Sequence, residues 1–132
     1  MTITVHTQHN YMSYKLFLDD ERLPSQVKWV QLPLGPYTTV RSYKKFVECI
    51  ERLGIPSFVT FDHDLGQEHY AAGIAGTEPT YDSYKEKTGY DCAKWLVNYC
   101  YEKGVEFPDY EVHSMNIIGK QNIIQYIENS KK

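Results

Sequence analysis

The sequence predicts an α/β fold, a three-layer sandwich around a mostly parallel sheet. Three observations carry that expectation. Short apolar runs recur and each ends in polar or charged residues: Leu16-Phe-Leu18 in Asp19 and Asp20, Phe58-Val-Thr-Phe61 in Asp62, His63 and Asp64, and Tyr110-Glu-Val112 in His113, Ser114 and Asn116. Strands of a parallel sheet are buried on both faces and read as apolar runs, with charge where they leave the core. The segments between them carry apolar residues at helical spacing, and a strand–helix–strand succession gives parallel pairs.

In chain order, residues 1–13 show no lasting pattern and are expected as a flexible tail, with His6 and His9 as solvent-exposed filler. A single domain spans 14–132. Its first strand is Leu16–Leu18, and Pro24 stops that ladder. Pro24 to Pro36 reads as loop, within which Lys28–Leu32 offers a brief strand and Trp29 a lid on the core. Tyr37–Val40 is β-branched and forms a short strand. Ser42 caps a helix whose Tyr43, Phe46, Val47, Ile50 and Leu53 share one face, and Gly54 stops it. A strand over 57–62 follows. Residues 67–88 carry Gly73, Gly76 and Pro79 with little periodicity, a long loop placed to act as a lid. Gly89–Lys103 is a helix with Ala93, Leu96, Val97 and Cys100 as its stripe, Trp95 at its border, and Gly104 as its end. Tyr110–Met115 alternates as a strand. Gly119 and Lys120 then open a last helix that turns Ile123, Ile124 and Ile127 to the core.

Composition narrows the function classes. The chain has 132 residues, 42% of them hydrophobic, and its 17 acids against 14 bases give a net charge of -3. That is one domain with a real core and without the basic face that an extended nucleic-acid surface needs. Twelve tyrosines fit aromatic packing. Cys49, Cys92 and Cys100 lack metal-type spacing and read as buried free thiols of a reducing compartment. No apolar run approaches a membrane span and no signal peptide is recognisable, so a cytoplasmic protein is expected.

If the strands run parallel, their polar ends meet at one sheet edge, where open α/β sheets bind ligands. Asp19, Asp20, Asp62 and Asp64 would then make an oxygen-rich pocket that repels itself unless a hard cation sits in it. Mg²⁺ fits best, with Mn²⁺ the alternative, since it takes carboxylates and keeps waters for phosphate oxygens. Ser114, Asn116, Lys120 and the N-terminus of the last helix supply what a phosphate needs: hydroxyl and amide donors, a cation and unpaired backbone N–H groups. Acids with metal on one side and phosphate donors on the other point to phosphoryl chemistry. His63 and His113 are the candidates for proton transfer, because an imidazole titrates near neutrality. A buried, hydrogen-bonded structural role is the rival reading of His113.

These residues carry a family resemblance. Leu-Asp-Asp-Glu-Arg-x-Pro at 18–24, Phe-Asp-His-Asp-Leu-Gly at 61–66, Thr-Gly-Tyr-Asp at 88–91 and Val-His-Ser-Met-Asn-x-x-Gly-Lys-x-Asn-Ile at 112–123 resemble the cyclic-phosphate processing receiver domain, a branch of the response-regulator receivers, over roughly residues 14 to 130. The resemblance implies a receiver-like (flavodoxin-like) fold with a metal-binding acidic pocket acting on cyclic phosphates, such as those of nucleotides or RNA ends. Asp62 stands where receivers place their phosphoacceptor, and Ser114 where they place a Ser or Thr. Ordinary receivers have five strand–helix repeats and a Lys after the fifth strand. Here the chain ends one helix after its His-Ser-Met-Asn strand, Lys120 lies in that helix's first turn, and a Pro-rich loop replaces the first crossover helix. The leading expectation is a metal-dependent phosphoesterase of the cyclic phosphodiesterase type. The alternatives are a non-catalytic module that binds a nucleotide, phosphate or partner through the same pocket, and an aspartate phosphoacceptor.

Overall fold

The computed structural model describes residues 13–65 and 87–132. The expected tail at 1–13 and loop at 67–88 fall almost wholly on residues 1–12 and 66–86, outside the described residues.

Four strands form one parallel sheet: β1 (Lys15–Leu18), β2 (Thr38–Val40), β3 (Phe58–Phe61) and β4 (Asp109–Val112), in the order β2-β1-β3-β4. Among the described residues, three α-helices alternate with them: α1 (Tyr43–Leu53), α2 (Gly89–Lys103) and α3 (Ile117–Ser130). A short 3₁₀ turn, Pro24–Gln26, lies in the segment between β1 and β2.

Register explains the layering. Leu16 pairs with Val59, and Leu18 with Phe61, which in turn pairs with Val112. Alternation turns these residues to one face, where they join Phe46, Cys49 and Ile50 of α1, Cys92, Ala93, Leu96 and Cys100 of α2, and Ile123 and Ile127 of α3 in a single core. All three helices therefore cover the same face of the sheet. Phe17, paired with Thr60, points the other way, together with Phe58. That face is covered by the segment between β1 and β2. The Tyr37 ring meets Phe17 and Phe58 edge-on, and Trp29 Nε1 donates to the His113 carbonyl at 2.7 Å. The third layer is thus loop where an ordinary receiver has helix.

Several local expectations are met. Ser42 Oγ accepts from Lys45 N, and α1 stops at Gly54. α2 runs Gly89–Lys103 and Gly104 closes it in the left-handed region at φ 72°; its cap is Thr88, in a capping box with Asp91, a residue not singled out as a cap from the sequence. The three cysteines are free and buried. Three expectations are corrected. The strand expected over Tyr110–Met115 runs Asp109–Val112. Lys28–Leu32 forms no strand; Trp29 within it instead lies against the sheet, its Nε1 bonded to the His113 carbonyl. The last helix starts at Ile117, two residues before Gly119, because the Asn116 side chain accepts the Gly119 N–H at 2.8 Å and caps it.

Gly89 shows how closely α2 approaches the sheet. Its N–H donates to the His63 carbonyl at 2.8 Å, and a Cβ built there would overlap the Asp62 carbonyl oxygen. Gly89→Ala is therefore expected to cost about 3 kcal/mol or more, read by chemical denaturation, because the clash is with backbone that cannot rotate away.

Candidate functional site

The ladder bonds run one residue past the strands. Asp19 N donates to the Val40 carbonyl, Asp62 N to that of Leu18, and His113 N to that of Phe61. Asp19, Asp62 and His113 therefore form the next row of the sheet, on the face away from the helices. In this strand order the connection reverses between β1 and β3, so the two aspartates flank the topological switch point, the usual ligand position in such sheets.

Asp19 is fully buried and well supplied with donors. Its Oδ1 accepts the Glu21 and Arg22 amides, both at 2.9 Å, and its Oδ2 is 3.0 Å from His113 Nε2. Burial works to raise its pKa, but the His113 hydrogen bond and then the two amides outweigh it and hold the carboxyl at about 2. An ionised carboxylate only accepts, so the ring proton sits on Nε2; in the neutral ring Nδ1 then accepts from the Thr60 hydroxyl, 2.8 Å away. The Phe17 ring stacks on the imidazole at 4.7 Å. His113 thus lies buried beneath the loop layer, away from the cleft.

Asp62 is nearly as buried but less well served. Its Oδ1 accepts the His63 amide at 2.9 Å, and Arg22 Nη1 stands 4.0 Å from its Oδ2. Burial, then the charges of Asp19 and Asp20, push its pKa up to about 7, against the pull of Arg22 and the His63 amide. Asp19, Asp20 and Asp62 each present a carboxylate oxygen within 4.8 Å of the other two. An all-oxygen donor set of this kind, crowded enough to hold one member's proton near neutrality, fits a hard divalent ion.

The other expected site residues are placed differently. Asp64 lies outside that trio: its Oδ1 is 2.8 Å from His63 Nδ1 and accepts from Asn116 Nδ2 at 3.2 Å. It was expected in the acidic set around the ion, not necessarily as a direct ligand; it lines the cleft, while strand alternation ends at Asp62 and the turn aims its Oδ1 at its neighbours. The His63 ring packs over Gly119, where a Cβ would overlap it, so the ring flanks the cleft. Ser114 is buried and its hydroxyl accepts the Asn116 amide at 3.1 Å, while Asn116 itself caps α3. Lys120 follows on the first turn of α3 and is not among the cleft's lining residues.

The cleft measures about 150 Å³ and is lined by Asp20, Glu21, Arg22, Asp62, Asp64, Met115 and Asn116. Sequence reasoning missed Arg22, whose only signal is its place at the end of the Asp-Asp-Glu-Arg run. It also missed Arg41, whose Nη1 donates to the Asp19 and Arg22 carbonyls at 3.0 and 2.6 Å and ties the loop after β1 to the edge of the sheet.

Sheet order, parallel pairing and acids on both sides of the switch point define a receiver-like α/β domain. Residues 14–129 match the family described as the cyclic-phosphate processing receiver domain, and the chain belongs to it. No curated protein and no solved structure matches the chain. Among the described residues, no helix is long and apolar enough to cross a membrane.

Proposed function

We propose that this domain is a divalent-metal-dependent phosphoesterase that opens a cyclic phosphate, carried by a nucleotide or an RNA end. The observation that carries the reading is the convergence of the Asp19, Asp20 and Asp62 carboxylates at the carboxyl edge of the sheet. These three would hold the ion, Mg²⁺ or Mn²⁺. When bound, such an ion polarises a phosphoryl oxygen and lowers the pKa of a water. His113 fixes Asp19 in place and keeps it ionised. Asp64 and Asn116 line the cleft, and Asp64 orients His63 through Nδ1. That leaves Nε2 for the proton that the departing ester oxygen requires. Asn116 and the first turn of α3 face the anion with donors. Met115, Ile117 and Ile118 are 63%, 71% and 70% exposed, an apolar run beside Asn116 that suits an organic ester better than free phosphate.

One observation favours a second reading, capture without turnover: neither histidine lines the cleft. A single screen separates the two. The protein is incubated with Mg²⁺ or Mn²⁺ and a panel of 2′,3′- and 3′,5′-cyclic nucleotides, and ring opening is followed by chromatography. Metal-dependent opening, lost with chelator, is the expected result. Tight binding without opening across the panel identifies a binding module, and an acid-labile phosphoryl adduct on Asp62 identifies a phosphoacceptor.

A further inference from the structure

We infer that Arg22 works in two positions: as counter-ion of the acidic cleft when no metal is present, and as the residue that grips the phosphoryl oxygens once a divalent ion lies among the carboxylates. The inference rests on the metal reading above.

The backbone of Arg22 is fixed while its head is loosely held. Its amide donates to Asp19 Oδ1 at 2.9 Å, and its carbonyl accepts from Arg41 at 2.6 Å. The guanidinium, by contrast, stands 3.4 Å from Asp19 Oδ2 and 4.0 Å from Asp62 Oδ2. Charge-assisted pairs in good geometry close to about 2.8 Å. Two further contacts of the head among the described residues are soft. Nη2 reaches Met115 Sδ at 3.4 Å, and the group lies over the Trp29 ring at 5.2 Å. A thioether is a weak acceptor and an aromatic face takes a cation without directional bonds. Five donors on a rigid fork are thus only partly engaged, at the wall of a cleft whose floor is acid.

Charge decides what happens next. The carboxylates attract the guanidinium only while they carry uncompensated negative charge. A divalent ion among the three carboxylates cancels two of their three negative charges and so weakens that attraction. A tetrahedral phosphate oxyanion entering the same cleft restores a partner, one whose oxygens match the fork bidentately. Rotation about the side chain suffices for the change, since Arg41 holds the backbone.

The test is isothermal titration of the full chain, first with MgCl₂ alone and then with inorganic phosphate at saturating Mg²⁺. Arg22→Ala is expected to bind Mg²⁺ about 3- to 10-fold more tightly, because a competing cation is gone, and phosphate at least ~10-fold more weakly, because the fork is gone. Arg22→Lys keeps a competing charge, so its Mg²⁺ affinity stays near wild type while phosphate affinity is restored only in part. The opposed signs are the signature, since a structural prop would weaken both. Parallel loss of both affinities in Arg22→Ala overturns the inference, as does unchanged phosphate affinity, or wild-type protein that binds Mg²⁺ but no phosphate. Wild-type protein that binds no Mg²⁺ at millimolar concentration overturns the metal reading, and this inference with it.

Discussion

Asp62→Asn is expected to stabilise the metal-free protein at pH 8 while weakening Mg²⁺ binding by at least ~100-fold, which would leave ring opening undetectable. Both effects come from one arrangement. Asp62 is buried beside Asp19 and Asp20, and its carboxyl holds a proton up to about pH 7. Below the ordinary carboxylate value near 3.9, folded and unfolded chains both carry that proton and Asp62 contributes nothing to pH dependence. Between that value and about 7 the unfolded chain loses the proton and the folded chain keeps it, so stability falls as pH rises. Above about 7 the penalty is fully present. At 1.36 kcal/mol per pH unit, the upper bound on it is about 4 kcal/mol. An Asn amide removes the charge, can still accept the His63 N–H through its oxygen, and offers N–H donors to the neighbouring carboxylates. A gain of about 1–2 kcal/mol at pH 8, vanishing by about pH 4, is therefore the expectation. Thermal melts across that pH range in the presence of chelator check it. Equal stability of wild type and variant at pH 8 would mean that the acids are not crowded. Adding Mg²⁺ should reverse the order, raising the wild-type melting temperature and leaving the variant's unchanged.

The parts legible from sequence are those where one physical rule acts alone. β1 and β3 are apolar runs because a central parallel strand is buried on both faces, and β1 and β3 are the two middle strands. α2 keeps its expected bounds because Thr88 and Gly104 close it with strong local chemistry. Asp19, Asp20 and Asp62 were visible because a strand's end fixes where its next residue goes. The rest depends on contacts that periodicity does not encode. Asn116 caps α3 ahead of Ile117 and Ile118, two exposed apolar residues that hide the helix start. Trp29 reaches His113 across 84 residues, and Arg41 reaches back to Asp19 across 22. Arg22 leaves a loop, where side-chain direction follows from tertiary packing. Asp64 shares its tripeptide with Asp62, yet the turn after β3 sets Asp62 against the His63 amide and Arg22, and Asp64 against the His63 ring and Asn116.

His113 decides whether the buried row behind the cleft is scaffold or chemistry. Replacing it with Leu is expected to cost about 3 kcal/mol, because the buried Asp19 carboxylate loses a donor and the Thr60 hydroxyl loses its partner. For a chain of this size that lowers the melting temperature by roughly 10 °C. The same change frees Asp19 from the interaction that holds it ionised, so Mg²⁺ affinity should fall by about 10- to 100-fold, as when a metal ligand loses the group that orients it. Gln is the discriminating replacement. Its amide nitrogen can stand near the place of Nε2 and donate to Asp19, but it cannot carry a proton to or from a substrate. If His113 acts by holding Asp19, His113→Gln restores most of the Mg²⁺ affinity and retains ring opening within about 10-fold of wild type. If it transfers a proton, His113→Gln binds Mg²⁺ normally and loses activity by 10²-fold or more. The first outcome is expected, because both ring nitrogens already have partners and the Phe17 ring closes one face of the imidazole. A proton leaving that ring would have to pass through Asp19 or Thr60 before it met the cleft. His63, whose Nδ1 is engaged by Asp64, stands outside that closed row and is the shorter route.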